Sequence, residues 1–185
     1  CSANSRLYVE RSIKDAFVEK LTEIAKAMQP GDPLDPASKM GAIVDRKQTE
    51  GVMKYVEAGK QTARLVAGGE QIKIDGKGCF VQPTIFDDVS HGDALARDEI
   101  FGPVLSVIPF DTEEAAICMA NDSVYGLAAS VWTDNLSRAL RVSDRLMAGT
   151  VSVNTVDALS AMTPFGGMKQ SGFGRDLSLH SFDKY

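Results

Sequence analysis

Apolar residues recur along the chain with two alternating periods, and this alternation predicts helices interleaved with strands. Helical spacing begins after Ser12, a suitable N-cap, and ends at the Pro- and Gly-containing segment that starts at Gln29. The apolar face of this helix consists of Ile13, Ala16, Phe17, Leu21, Ile24 and Ala25. Similar spacing predicts further helices over residues 46–59, 112–120 and 135–146.

Between the helices, short runs of β-branched and apolar residues predict strands. These runs cover residues 7–10, 64–67, 79–81, 84–86, 104–110, 127–133 and 150–154. Regular structure is predicted to fade after Asp157 into a glycine-rich tail. The order of the elements predicts an α/β fold with a largely parallel, twisted sheet flanked by helices.

Composition and charge narrow the functional class. The 185 residues are 44% hydrophobic and 24% charged, which suits one globular domain, or one with a small part of another. A net charge of −5 with scattered lysines and arginines predicts no nucleic-acid partner. Since no apolar run approaches the ~20 residues of a membrane span, no membrane association is predicted either.

Cysteine and histidine usage predicts a reducing compartment. Three widely spaced cysteines and two histidines form neither a disulfide framework nor a zinc-ligand pattern, so no metal site and a cytoplasmic location are predicted. Cys118 falls on a predicted helix and is expected in the core. The chain begins at Cys1, within a candidate motif and without a signal peptide, so we expect a piece of a longer protein.

Four segments concentrate residues that are capable of chemistry. They are 1–6 (CSANSR), 98–103 (DEIFGP), 149–154 (GTVSVN) and 164–175 (PFGGMKQSGFGR). Together with 121–127 (NDSVYGL), their order and spacing closely resemble the aldehyde dehydrogenase superfamily over essentially the whole chain. The resemblance implies that residues 1–185 form a truncated catalytic domain, without most of the cofactor-binding domain and without the oligomerisation strand. It also implies NAD or NADP as cofactor and a homodimeric or homotetrameric full-length enzyme.

The resemblance identifies Cys1 as the nucleophile. Its thiolate would add to the aldehyde carbonyl, and the thiohemiacetal would release hydride to the nicotinamide, which leaves a thioester for water to hydrolyse. Without the motif, a lone cysteine is more simply a small buried apolar residue.

Other residues receive roles by the same resemblance. Glu99 is expected to bind the hydroxyls of the nicotinamide ribose, Phe101 to lie beside the nicotinamide, and Gln48 to lie near the ribose. The expected substrate pocket consists of Asn154, Asp157, Leu159 and Phe165. Lys169 and Arg175 are expected to hold the glycine-rich tail through hydrogen bonds.

The sequence leaves alternatives open both for the aldehyde substrate and for the class of reaction. The segment 174–185 resembles bacterial enzymes that oxidise amino aldehydes from polyamine breakdown, the γ-glutamyl-aminobutyraldehyde enzymes above all, and betaine aldehyde or a broad aliphatic range stays open. Asp157 would supply a negative charge for a substrate amino group, or would serve the structure of its loop. A cysteine acyltransferase or thioesterase without nicotinamide, and a non-catalytic α/β domain, are the competing classes.

The resemblance also implies what lies outside the chain. The general base and the side-chain donor of the oxyanion hole precede the nucleophile in this family. The chain alone is therefore predicted to be inactive, because loss of oxyanion stabilisation costs about 10²–10³ in rate.

Overall fold

Strands and helices alternate along the chain as the sequence predicts, in a computed structural model that describes residues 2–156 and 158–184. The helices are α1 (Lys14–Ala27), α2 (Arg46–Thr62), α3 (Ala94–Arg97), α4 (Glu113–Asn121) and α5 (Leu136–Arg145), followed by a 3₁₀ helix (Leu179–Lys184). The strands are β1 (Arg6–Glu10), β2 (Arg64–Ala67), β3 (Gln71–Ile74), β4 (Lys77–Val81), β5 (Thr84–Asp87), β6 (Val104–Phe110), β7 (Tyr125–Gly126), β8 (Ala128–Val131), β9 (Thr150–Val153) and β10 (Met168–Lys169). No helix among these residues is long and apolar enough to cross a membrane.

The chain divides into two compact units. Unit 1 comprises Cys1–Asn4 and Thr112–Tyr185, and unit 2 comprises Ser5–Asp111. The interpretation of residues 1–185 as one truncated domain stays a prediction.

Unit 2 contains a four-stranded sheet in the order β1-β6-β5-β2. β6 pairs in parallel with β1 on one side and with β5 on the other, and β2 joins the edge antiparallel to β5. The predicted α/β class with a largely parallel sheet is thus confirmed. The core that α1 forms with these strands consists of Val9, Val18, Ala25, Ala67, Ile85 and Val107.

Unit 1 contains two smaller strand pairs. β8 pairs in parallel with β9, and α5, which lies between them in the chain, packs against both. β7 pairs antiparallel with β10, so the tail that was predicted to lack regular structure contributes a short strand. On the surface, α4 and α5 are joined by the ion pairs Glu113–Arg141 and Glu114–Arg145.

The predicted start of the first helix is wrong. α1 begins at Lys14 without a side-chain cap, and the Ser12 hydroxyl donates instead to the Glu10 carboxylate at 2.9 Å. The predicted Ser12 cap is therefore absent, and Lys14, the first residue of α1, takes part in a tertiary contact.

That contact is a buried ion cluster at the end of β5. Asp87, which has 0% exposed side-chain surface, accepts from the Lys14 ammonium at 3.1 Å and also pairs with Arg64. Lys14 donates to Asp88 at 2.6 Å as well. Burial acts to lower the pKa of Lys14, but the hydrogen bonds to Asp88 and Asp87 outweigh it and raise the pKa overall.

Other differences have local reasons. α2 continues to Thr62, beyond the predicted end at Gly59. Gly59 does not end the helix; it lies against Leu95 and Phe86, where a Cβ would be too close. The short strand β3 and the single-turn helix α3 were not predicted, since such short segments carry little periodicity. Cys118 is exposed on α4, so its predicted place in the core is wrong.

Candidate active site

The first candidate group lies in unit 2, on the loop of residues 98–102 that joins α3 to β6. Along this loop Ile100 is buried at 7% exposure, whereas Glu99 is exposed and Phe101 is 59% exposed. Phe101 has a φ of +54°, in the left-handed region that non-glycine residues seldom adopt. The carboxylate of Glu99 and the ring of Phe101 are thus accessible to solvent, and the buried Ile100 between them anchors the loop backbone.

Gln48 contacts this loop directly. Its side-chain amide donates to the carbonyl oxygens of Ile100 at 3.2 Å and of Phe101 at 3.0 Å. The N-cap of α2 orients Gln48, because Asp45 accepts from the Gln48 backbone N–H at 2.7 Å. The structure therefore brings Gln48 and Phe101 together, and the amide of Gln48 is engaged by the loop backbone.

Two more contacts between α2 and the loop were missed by the sequence analysis. The Tyr55 hydroxyl donates to the Asp98 carboxylate at 3.0 Å, and a Cβ at Gly102 would lie 2.5 Å from a methyl carbon of Val52. Gln48, Val52 and Tyr55 stand at positions i, i+4 and i+7 of α2, the spacing of one helical face. That spacing is the signal that would have identified them as a group.

The second candidate group lies in unit 1, around a small cavity. Its lining comes from the chain start, from β8 and β9 and from the tail: Ser2, Asn4, Ala128, Ala129, Ser130, Thr150, Ser152, Val156, Ala158, Leu159 and Phe165. Two of the predicted substrate residues, Leu159 and Phe165, therefore meet at one cavity. Cys1 and Asp157 lie outside the described residues, but Ser2, the neighbour of Cys1, lines this cavity.

Hydrogen bonding at the cavity ties the chain start to β8. The Asn4 side-chain amide donates to the Ser130 hydroxyl at 2.6 Å. The buried Thr150 hydroxyl, also in the lining, has no hydrogen-bond partner within the described part of the chain. The cavity lining thus combines apolar side chains with polar ones, among which Asn4 and Ser130 bond to each other.

Asn154 is not part of the cavity lining. Its side chain accepts from the Thr133 backbone N–H at 2.9 Å and donates to the Thr133 carbonyl at 3.0 Å. These bonds join the segments that follow β8 and β9, and they accompany a φ of +54° at Asn154. Its assignment to the substrate pocket stays a prediction.

Lys169 and Arg175 hold the tail, as predicted. The Lys169 ammonium donates to the carbonyl oxygens of Asn121 at 2.6 Å and of Ser123 at 3.0 Å. The Arg175 guanidinium donates to the carbonyl oxygen of Gly167 at 2.9 Å.

Two backbone hydrogen bonds to Asp176 fix the position of Phe165. Its N–H donates to the Asp176 carbonyl at 2.8 Å, and the Asp176 N–H donates back to the Phe165 carbonyl at 2.7 Å. The glycines nearby permit this close approach, since a side chain at Gly149 would overlap the Gly166 carbonyl oxygen. The tail therefore presents Phe165 to the cavity from a fixed backbone.

The two groups suit different chemical partners. An accessible carboxylate and an accessible ring, two residues apart on an anchored loop, fit vicinal hydroxyls and a flat heterocycle. The cavity of unit 1 has a volume of about 10 Å³, which has room for about one water-sized group, and its lining combines apolar side chains with hydroxyl-bearing ones.

Known proteins are similar to this chain in sequence and in structure. The sequence profile of the aldehyde dehydrogenase family matches residues 1–185. A betaine aldehyde dehydrogenase of Rhizobium etli is 47% identical over 187 aligned residues, which cover 100% of this chain and 38% of that protein.

Solved structures show the same similarity. A mutant indole-3-acetaldehyde dehydrogenase of P. syringae in complex with NAD⁺ is 55% identical with a TM-score of 0.96, over 99% of this chain and 37% of that chain. The γ-glutamyl-γ-aminobutyraldehyde dehydrogenase of Burkholderia cenocepacia is 55% identical with a TM-score of 0.97, over 100% and 38%. The chain thus spans little more than a third of the length of these relatives.

Proposed function

Because the chain belongs to the aldehyde dehydrogenase family, we propose that it forms the nucleophile-bearing part of an enzyme that oxidises an aldehyde to a carboxylic acid with NAD⁺ or NADP⁺. The observation that carries this proposal is the cavity of unit 1, where Ser2, adjacent to Cys1, meets Leu159 and Phe165. Addition to an aldehyde requires a nucleophile that can reach the carbonyl carbon, and the proposed nucleophile, Cys1, directly precedes Ser2 in the sequence.

Cys1 is the proposed nucleophile. Its thiolate attacks the carbonyl carbon to give a thiohemiacetal, and loss of hydride from that carbon leaves a thioester. Water then hydrolyses the thioester, which releases the carboxylic acid and restores the thiol. Apolar walls such as Leu159 and Phe165 exclude bulk water while the thiohemiacetal forms.

The loop of unit 2 is the proposed cofactor-binding element. When bound, the nicotinamide cofactor accepts the hydride. The Glu99 carboxylate accepts hydrogen bonds from ribose hydroxyls, and the exposed Phe101 ring packs beside the nicotinamide. Gln48 holds the loop backbone in the conformation that presents both side chains, as its bonds to the Ile100 and Phe101 carbonyl oxygens indicate.

An amino aldehyde is the proposed substrate. The γ-glutamyl-γ-aminobutyraldehyde and betaine aldehyde dehydrogenases among the relatives are named for substrates with a nitrogen-bearing chain. Asp157 would attract a cationic amino group, and Asn154 would lie nearby in the substrate pocket. The indole-3-acetaldehyde relative is equally similar, at 55% identity, so an aromatic aldehyde is the second candidate.

The resemblance to the family also supports proposals on the location, the oligomeric state and the activity of the chain alone. We propose that the full-length protein is a cytoplasmic homodimer or homotetramer, and that the present chain alone is inactive. A general base and an oxyanion donor that precede Cys1 would complete the active site.

Replacement of the nucleophile tests the proposal. In the intact protein that contains this sequence, Cys1→Ala is expected to abolish aldehyde-dependent reduction of NAD⁺, followed by NADH absorbance. Cys118→Ala, which changes an exposed cysteine on α4, is the matched control and is expected to retain full activity. Full turnover by Cys1→Ala would refute the assignment.

The same assay identifies the preferred aldehyde and tests whether the isolated chain is active. A panel of γ-glutamyl-aminobutyraldehyde, betaine aldehyde and indole-3-acetaldehyde is ranked by kcat/KM, and the first is expected to rank highest. The isolated 185-residue chain is expected to show no turnover with any of them. Ester hydrolysis by the intact protein without any NAD⁺-dependent oxidation would favour the acyltransferase or thioesterase class instead.

A further inference from the structure

One face of α2 contacts the 98–102 loop along its whole length. This face, which we call the loop-facing stripe, consists of Gln48, Val52 and Tyr55. Each member contacts a different part of the loop: Tyr55 binds the Asp98 carboxylate, Gln48 binds the carbonyl oxygens of Ile100 and Phe101, and Val52 lies against Gly102.

The stripe is itself anchored. Val52 has 0% exposed surface, and Asp45 caps the helix by accepting from the backbone N–H of Gln48 at 2.7 Å. A rigid helix therefore provides the fixed side of every one of these contacts, and the loop provides the movable side.

The loop needs such support because its own geometry is unfavourable. Phe101 is held at φ +54° with a 59% exposed ring, and the flanking Asp98 and Glu99 are exposed carboxylates close in sequence. A non-glycine residue in the left-handed region costs about 1 kcal/mol, and neighbouring negative charges repel each other. A free loop would spread over many conformations, of which few present Glu99 and Phe101 together.

We propose that Tyr55 is a positioning residue for cofactor binding: its hydrogen bond to Asp98 fixes the start of the loop, as Gln48 fixes its end, so that Glu99 is presented between two held points. This inference rests on the proposed function. Tyr55 touches neither substrate nor cofactor and acts only through the loop.

The expected effect is on cofactor affinity alone. Asp98 is exposed, so water competes for its carboxylate, and loss of the Tyr55 hydrogen bond is expected to weaken NAD⁺ binding about 5- to 10-fold, the effect of an ordinary hydrogen bond. Because Tyr55 is not part of the unit 1 cavity, the KM for aldehyde and the acylation of Cys1 are expected to stay unchanged.

The test uses Tyr55→Phe in the intact protein. The Kd of NAD⁺ is measured by calorimetry without aldehyde, together with the KM values for both substrates. Hydrolysis of p-nitrophenyl acetate reports on the Cys1 nucleophile and needs no hydride acceptor. The expected result is a 5- to 10-fold rise in Kd and in the KM for NAD⁺, with ester hydrolysis and the KM for aldehyde as in the wild type.

Three control substitutions separate positioning from folding. Tyr125→Phe alters a tyrosine of unit 1 and is expected to leave NAD⁺ affinity unchanged. Asp98→Ala, at an exposed position, is expected to reproduce the effect of Tyr55→Phe and not to add to it in the double variant. Asp98→Asn, which keeps an acceptor oxygen for Tyr55, is expected to restore most of the affinity.

The outcomes distinguish this inference from the proposed function. An unchanged Kd in Tyr55→Phe, beside a wild-type protein that binds NAD⁺, overturns the positioning role and leaves the proposed function intact. Equal losses in NAD⁺ affinity and in ester hydrolysis indicate a general structural defect and also overturn it. A wild-type protein that neither binds nor reduces NAD⁺ contradicts the proposed function, and the inference with it.

Discussion

Asp87 is the residue whose charge is most completely enclosed. It has 0% exposed side-chain surface and lies at the end of β5 against Lys14 and Arg64. Asp87→Ala would leave the buried Lys14 ammonium with the half-exposed Asp88 and the exposed Asp15 as its carboxylate partners. We expect a loss of about 3 kcal/mol in the free energy of unfolding, measured by thermal or urea denaturation.

Asp88→Asn is the control for that substitution. The Asp88 side chain is 51% exposed, so its ion pair with Lys14 is screened and its loss is expected to cost under about 1 kcal/mol. Since the pKa of Lys14 is raised, the pairs are fully formed at neutral pH, and their contribution is lost only as the pH rises through that raised value. Equal losses for the two variants would contradict a special role for burial.

The sequence predicted the contacts that hold the tail but not the contact between α2 and the 98–102 loop. The roles of Lys169 and Arg175 in holding the tail could be predicted because the motif that contains them is local. The bond between Tyr55 and Asp98 could not, because its partners are 43 residues apart and neither stands out alone. Contacts of this kind depend on the register of a helix against a distant loop, which periodicity does not determine.

At the scale of elements, α2 offers a matched pair of glycines. A Cβ at Gly51 would meet no atom within 4 Å, whereas a Cβ at Gly59 would lie 2.7 Å from Leu95 and 3.0 Å from Phe86. Gly51→Ala is therefore expected to stabilise the protein by about 0.5–1 kcal/mol, because alanine restricts the unfolded chain and favours the helix. Gly59→Ala is expected to destabilise it by about 1–3 kcal/mol through overpacking.

Melting temperatures of the two variants provide the measurement. Each is the control for the other, since both make the same chemical change in one helix. Shifts of the same sign would show that helix propensity or packing alone dominates, and would contradict the opposed effects expected here.

The elements that could be predicted are those whose own residues contain an apolar run or a capping residue. β2 and β6 have the bounds that their apolar runs predict, and α4 and α5 begin after the capping residues Thr112 and Asn135. β3 and β10 could not be predicted, because each is short and is defined by its partner strand. The start of α1 was misplaced because the Ser12 hydroxyl bonds the Glu10 carboxylate and does not cap the helix.

At the scale of the whole molecule, buried apolar side chains are distributed unequally. Among the described residues, only Ile117 and Ala139 of the buried apolar set belong to unit 1, and the others belong to unit 2. Amide hydrogen exchange of the 185-residue chain is therefore expected to be slow in β5 and β6 and fast in β8 and β9, because protection follows local burial.

The intact protein provides the comparison for that measurement. If other residues of the intact protein cover unit 1, β8 and β9 are expected to gain protection there while β6 changes little. Uniform protection in the isolated chain would contradict the unequal burial.

The backbone at Phe101 has a consequence for how this sequence could change over time. At φ +54°, the backbone conformation costs glycine or asparagine about 1 kcal/mol less than it costs phenylalanine. A library selected for heat resistance alone should discard the aromatic ring at this position early, and one selected for turnover should keep it. Position 101 would then be a marker of which of the two pressures a population has experienced.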